Sequence, residues 1–280
     1  MTAAISVKEA VERVSDHLNR RPLLVCTDFD GTLSMIVMDP WAAAILPLGR
    51  VALRRLAGMP GVSVVVLSGR TAWDVAARVR VGNVLYLGNH GMERGYLARG
   101  GRAERLDVAV VGASAEEAAL TARLADELPA RIGEPWLIVE RKPPTVAFHY
   151  RQAPDVAAAG KLVREVVDSL DPSGLLERFP GRRILELRPP GAIAKGEAFK
   201  GILDELQPAS VFMLGDDVSD AQAFAVLRSE RAAGRTDGVA VAIQARAEVP
   251  PEVAANADLV LGSPHDAARF LSALARRLGS

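Results

Sequence analysis

Two carboxylates one residue apart, Asp28 and Asp30, close the run Leu23-Leu24-Val25-Cys26-Thr27 and are followed by Gly31, Thr32 and Leu33. A short apolar run ended by a polar, glycine-containing turn predicts a buried strand. Side chains alternate across a strand, so Asp28 and Asp30 leave one face while Phe29 turns towards packing. Acids this close repel one another and lose hydration, so the fold must supply a cation or leave one of them protonated. Gly31 permits a sharp turn, and Thr32 offers an O–H or N–H to an anion. A calcium loop of the EF-hand kind is excluded, because the sixth position from Asp28, where such a loop needs glycine, holds Leu33. A plain polar turn at a strand end stays open on these residues alone.

A second acidic cluster, Gly215-Asp216-Asp217-Val218-Ser219-Asp220, follows another apolar run at Val211–Leu214. Between the two, the β-branched run Val62–Leu67 ends at Ser68-Gly69-Arg70 and leads directly into a helical pattern. A hydroxyl at the start of a helix is an anion cradle, since free amides and the positive end of the helix dipole meet there, although Ser68 could also serve only as a cap. Val84–Leu87 ends in Gly88-Asn89-His90-Gly91, whose glycines imply close backbone approach, with His90 lining a pocket. In an open parallel sheet every carboxyl end opens on one edge, so Asp28, Asp30, Ser68, Asp216 and Asp217 are expected to converge. Lys195 opens a later helix, where the dipole disfavours a lysine without another purpose.

The elements that must hold these residues are legible in outline. Val7, Val11, Val14 and Leu18 give the N-terminal stretch to Arg21 one apolar helical face, and Pro40–Met59 has a helical pattern through Ile45, Leu48, Leu53 and Leu56. From about Asp107 the order becomes helix, strand, strand, then the same again, closing at Arg188-Pro189-Pro190-Gly191. Adjacent hairpins mark an antiparallel α+β unit inside an alternating α/β chain. The expected division is therefore a core over 1–107 and 190–280 with an insertion at 108–189.

Composition excludes rather than selects. With 34 basic and 34 acidic residues among 280, the formal charge is zero, which favours neither a nucleic-acid nor a membrane surface. Cys26 is the only cysteine, so no intrachain disulfide forms, and the absence of a long apolar run predicts a soluble, cytoplasmic protein.

Asp28-Phe29-Asp30-Gly31-Thr32-Leu33, Ser68, Lys195 and Gly215-Asp216-Asp217 with Asp220, in this order, resemble the four motifs of the haloacid dehalogenase superfamily of phosphotransferases. The resemblance implies a three-layer, Rossmann-like parallel-sheet core with an inserted α+β cap of the second type. It also implies a Mg²⁺-dependent phosphatase in which Asp28 attacks phosphorus and Asp30 is general acid and base. Asp28 and Asp216, with the Asp30 carbonyl, are the expected ligands, and Asp217, also counted in the metal site, and Asp220 would bind water of the metal or orient Lys195. Asp30 is expected to be kept protonated by its crowded site, and Ser68 and Lys195 to neutralise the phosphate. Within the superfamily, Gly88-Asn89-His90-Gly91, Glu140-x-Lys142, His149-Tyr150-Arg151, Glu186-x-Arg188-Pro189 and Lys195-Gly196 look like the trehalose-6-phosphate phosphatase family. That likeness implies Thr32, Gly69, Arg70, Asn89 and His90 around the substrate, Glu140, Lys142 and Glu186 on sugar hydroxyls, and a trehalose-phosphate synthase in the same pathway. Ser219 before Asp220-Ala221, and Ala194 before Lys195, depart from the family pattern. Sucrose phosphate, glucosyl- or mannosyl-glycerate phosphate, and a non-catalytic sugar-phosphate sensor are the alternatives.

Overall fold

Val62–Leu67 and Val211–Leu214 carry almost no polar side chain, the composition of strands covered on both faces. The computed structural model describes residues 4–37, 39–181, 183–245 and 249–279. Its chain forms two compact units, Met1–Ala109 with Ala194–Ser280, and Val110–Ile193.

In chain order the first unit contributes α1 (Val7–Arg13), β1 (Leu23–Thr27), α2 (Pro47–Ala57), β2 (Val62–Leu67), α3 (Ala72–Val79), β3 (Val84–Gly88) and β4 (Glu93–Leu97). The short β5 (Ala109–Val110) ends that stretch. The second unit holds α4 (Ala115–Ile132), β6 (Ile138–Lys142), β7 (Thr145–His149), α5 (Val156–Leu170), β8 (Glu177–Gly181) and β9 (Ile184–Arg188). The first unit resumes with α6 (Lys195–Leu206), β10 (Ser210–Gly215), α7 (Val218–Ala232), β11 (Asp237–Ile243), α8 (Pro251–Asn256), β12 (Leu259–Leu261) and α9 (Pro264–Leu278).

The large sheet runs β12-β11-β10-β1-β2-β3-β4-β5. It is parallel from β12 to β3, and β4 turns back antiparallel to β3. Alternate residues Leu23, Val25, Val64, Val66, Phe212, Leu214 and Val241 share one apolar cluster with α1, α2, α3 and α9. Leu24, Cys26, Val211 and Met213 point the other way, to the face where α7 packs on β10. The result is three layers. From β1 the chain steps to β2 and β3 on one side, and from β10 to β11 and β12 on the other, so the strand order reverses between β1 and β10. Ligands bind outside the carboxyl ends at such a switch point.

The helix expected over Pro40–Met59 is shorter. Only Pro47–Ala57 is α-helical, because Pro47 suits a first helical position and Leu46 before it is extended, while residues 40–42 make a single 3₁₀ turn. The N-terminal helix likewise stops at Arg13. β4, unexpected from the sequence, pairs with β3 from Val84–Leu97 to Gly88–Glu93.

In the second unit the sheet order is β6-β7-β9-β8, antiparallel throughout. Val146, Phe148, Leu185 and Leu187 bury one face with Leu124, Leu128, Val163 and Val167 from α4 and α5. Ser114 and Asp155 cap those helices.

Candidate active site

β1 and β10 lie side by side with Thr27 opposite Leu214, and the Asp28 amide donates to the Leu214 carbonyl at 2.9 Å. That register carries the residues just beyond each strand, Asp28 and Asp216, to the same point on the sheet edge. Gly31 has φ +80°, and a Cβ there would sit 2.3 Å from Asp216 Oδ2, so only glycine lets the first turn meet the second acidic segment. Carboxylate oxygens of Asp28, Asp216 and Asp220 lie within 4.8 Å of one another, and all three residues are buried.

Lys195, 2% exposed at the first position of α6, bridges this cluster. Its Nζ donates to Asp28 Oδ1 at 2.7 Å and to Asp220 Oδ1 at 2.8 Å. The other oxygen of Asp220 accepts the Asp216 and Asp217 amides at 3.0 and 3.2 Å. Three buried carboxylates crowd around the one Lys195 ammonium. Burial accordingly pushes the Asp28 carboxyl well above its ordinary range, with Asp220 and Asp216 adding to the push and Lys195 opposing it. Burial likewise pushes Asp220 up to about 6 despite Lys195, with Asp217 adding to the rise. Burial alone would strip the Lys195 proton, but Asp220 and Asp28 outweigh it and hold the ammonium. An all-oxygen donor set of carboxylates fits a hard divalent cation such as Mg²⁺.

Two expected site residues make contacts that their spacing does not disclose. Asp217, expected in the metal site, accepts the Ser219 hydroxyl at 2.6 Å and the Asp220 amide at 3.0 Å on Oδ1 as the N-cap of α7. Lys195 and these hydrogen bonds outweigh burial and lower its carboxyl to about 2. Asp220, not Asp217, completes the acidic cluster. Asp30 was expected to hold a proton in a crowded site, but its side chain is 42% exposed and both its oxygens accept from Arg70, at 2.7 Å from Nε and 2.8 Å from Nη2.

Around this centre, Ser68 is buried at the end of β2, and its Oγ accepts the Arg70 amide at 3.1 Å. It does not cap α3; Thr71 does, accepting the Asp74 amide at 3.2 Å. The Asn89 and His90 amides donate to the Arg70 and Ser68 carbonyls at 2.7 and 2.9 Å, lacing the two loops together. The His90 ring fills the space where Gly69 would carry a Cβ, 2.9 Å from its Cε1. Glu93 is buried and accepts the Ala72 amide at 2.6 Å, a carboxylate at the helix start that burial pushes upward. The Thr32 amide donates to the Phe29 carbonyl at 3.3 Å, while its buried Oγ1 makes no hydrogen bond.

In the second unit, Glu140, Ala147, Glu186 and Phe179 stand in one row across the sheet, on the face away from α4 and α5. Lys142, Thr145, His149 and Arg188 share that face by alternation. Glu140 accepts from Lys142 at 2.8 Å and lies 3.0 Å from His149 Nε2; these partners outweigh burial and lower its carboxyl. Glu186 accepts from Arg188 at 2.7 Å, and Arg188 stacks 4.5 Å from the centre of the Phe179 ring. Phe179 joins the face only through its register opposite Glu186, a signal the linear motifs do not carry, whereas His149 and Arg188 already stand in them.

A parallel core with an acid pair after one central strand, a second acidic segment after its neighbour and a buried lysine between them defines a haloacid dehalogenase-type scaffold. The trehalose-phosphatase family profile matches residues 26–261. The chain belongs to that family. It is 34% identical over 276 residues to a trehalose-phosphate phosphatase of Mycobacterium tuberculosis, covering 95% of this chain and 64% of the relative, so it spans about two thirds of that protein's length. It is 35% identical over 286 residues to the corresponding protein of Mycolicibacterium paratuberculosis, covering 99% of this chain and 68% of the relative. The fold is similar to the C-terminal domain of the trehalose-6-phosphate phosphatase of C. albicans, with TM-score 0.67, 22% identity, and 99% and 98% of the two chains covered.

Proposed function

We propose that the chain hydrolyses a sugar phosphate monoester, with trehalose 6-phosphate as substrate and trehalose and phosphate as products. The observation that carries this reading is Asp28 itself: Lys195 holds Oδ1, leaving Oδ2 at the carboxyl edge of the sheet for attack on phosphorus. In the first step the Oδ2–P bond forms and the P–O bond to the sugar breaks, giving an aspartyl-phosphate. Asp30, once Arg70 yields one of its oxygens and that oxygen takes up a proton from solvent, gives this proton to the departing alcohol oxygen and then takes one from the water that releases phosphate. An entering phosphate offers the Arg70 fork another anion. Lys195, Ser68 and the loop amides oppose the growing charge on phosphorus. A Mg²⁺ held by Asp28, Asp216 and the Asp30 carbonyl would neutralise phosphate oxygens. Thr32, Gly69, Asn89 and His90 shape the phosphate end, and Glu140, Lys142 and Glu186 read hydroxyls of the sugar. The reaction would take place in the cytoplasm, its substrate supplied by a trehalose-phosphate synthase.

The test is phosphate release with Mg²⁺ from trehalose 6-phosphate, sucrose phosphate, glucosyl- and mannosyl-glycerate phosphates and glucose 6-phosphate. Preference for trehalose 6-phosphate, lost in Asp28→Asn, is the expected result. Preference for a monosaccharide phosphate would remove the disaccharide assignment, and binding without turnover would make the chain a sensor.

A further inference from the structure

Arg70 spends its fork on two carboxylates. Nε and Nη2 face the two oxygens of Asp30, while Nη1 donates to Asp74 Oδ2 at 3.0 Å. The guanidinium lies 5.6 Å from the centre of the Phe29 ring. Asp74 is itself tied down: Arg78 Nε donates to both its oxygens, at 3.0 and 2.9 Å. Arg78 Nη1 in turn donates to the carbonyls of Trp41 and Ala43 at 3.0 and 2.6 Å. A chain of charge thus runs from the backbone at residues 41–43 through Arg78, Asp74 and Arg70 to Asp30.

Ordinary i,i+4 ion pairs on a helix surface do little. This one differs in two respects. Arg70 precedes the N-cap of α3, so its bond to Asp74 joins a loop to a helix. The side chains of Arg70, Asp74 and Arg78 are also only 14, 21 and 12% exposed. With Asp74 unable to swing, the one Arg70 donor it holds fixes the plane in which the other two are presented.

We infer that Asp74, held by Arg78, is a positioning residue that sets the rotation of the Arg70 fork and, through it, the direction of Asp30. Arg70 is the moving part and Asp74 the fixed post: when Arg70 yields an oxygen of Asp30, its hold on Asp74 keeps the guanidinium beside the site. The kinetic consequence rests on the phosphatase reading above; the geometric one does not.

Asp74→Asn should lower kcat about tenfold with KM changed less than about twofold, since the loss is one of aim rather than of substrate contact. Arg70→Lys should cost more, and adding Asp74→Asn to it should cost less than about a further twofold, because residues acting in series are not additive. Independent, multiplying losses would overturn the inference. Asp74→Glu keeps the charge and the pairing with Arg78 but moves the carboxylate by one methylene; it should hold the parent's melting temperature and still lower kcat. Full activity in Asp74→Glu would reduce Asp74 to a structural charge and overturn it equally. An NMR measurement separates the two readings: the Arg70 Nε–H proton should exchange slowly in the parent and at least about tenfold faster in Asp74→Asn. Equal exchange overturns the inference, even if the parent proves inactive on every sugar phosphate and the functional reading falls alone.

Discussion

The carboxylates of the two units live in opposite surroundings. In the core, Asp28, Asp216 and Asp220 are buried, and two of them share the Lys195 ammonium. On the inserted sheet, the Glu140 and Glu186 side chains are 41 and 21% exposed, and each has its own partners, Lys142 and the His149 ring for Glu140 and Arg188 for Glu186. Burial raises both the strength of each charge and the cost of losing its partner, whereas at an exposed pair water takes the partner's place. The first setting suits chemistry on a phosphate, which needs charge that water does not screen. The second suits recognition of hydroxyls, which needs donors and acceptors ready to trade water for a ligand.

The largest test of that division is loss of the nucleophile. Asp28→Asn should cut turnover at least about a thousandfold, because an amide oxygen is a far weaker nucleophile than the carboxylate that would form the bond to phosphorus. Glu140→Gln should cost no more than about tenfold, mostly in KM. Equal losses would show that the two units do not divide the work.

Stability should separate the units next. Lys195→Met leaves Asp28 and Asp220 facing each other without a cation and should destabilise the metal-free chain by about 3–5 kcal/mol. Lys142→Met breaks an exposed pair and should cost within about 1 kcal/mol. Urea unfolding in chelator measures both, and a small effect at Lys195 would mean that water reaches the acidic cluster.

A smaller effect concerns discrimination. Glu186→Gln should raise KM for the disaccharide phosphate by up to about tenfold, one charged hydrogen bond's worth, and leave hydrolysis of a small aryl phosphate unchanged. Loss of aryl phosphate hydrolysis as well would move Glu186 from reading the sugar to supporting the chemistry.

How much of this the sequence discloses depends on whether a feature is local. The Asp28-x-Asp30 turn, Asp216 and Lys195 are legible because each stands at the junction of an apolar run or a helix, and parallel strands deliver such junctions to one edge. The roles of Asp217 and Asp220 are not, since both acids stand near one helix start and only the capping geometry decides that Asp217 faces the Ser219 hydroxyl and Asp220 faces Lys195. Nor is the pairing of Asp30 with Arg70, 40 residues apart, which turns an expected proton carrier into a salt-bridge acceptor at rest. The span from Pro40 keeps helical apolar spacing but starts as an α-helix only at Pro47, where the preceding residue is forced to be extended. β4, with Gly95 at its centre, lacks strand propensity and owes its place to β3.

The finest distinction between the two regions is the sign of their pH dependence. Asp220 has a folded value near 6 against an ordinary 3.8, so the fold binds more protons than the unfolded chain across that interval. Its stabilising contribution is complete below about 3.8 and is lost as pH rises through about 6. Asp28, also raised, acts in the same direction. Glu140 is lowered, so its contribution is present above its ordinary 4.5 and is lost as pH falls through the folded value. In chelator, the melting temperature of the parent should therefore decline between pH 4 and 6 by more than that of Asp220→Asn, which mimics the protonated side chain. Glu140→Gln should leave that decline in place and weaken only the loss of stability below pH 4.5. Saturating Mg²⁺ should flatten the decline in the parent, because a cation relieves the same repulsion that a proton relieves. If Asp220→Asn follows the parent's slope, the acidic cluster is solvated, and its contrast with the open face of the inserted sheet is one of position alone.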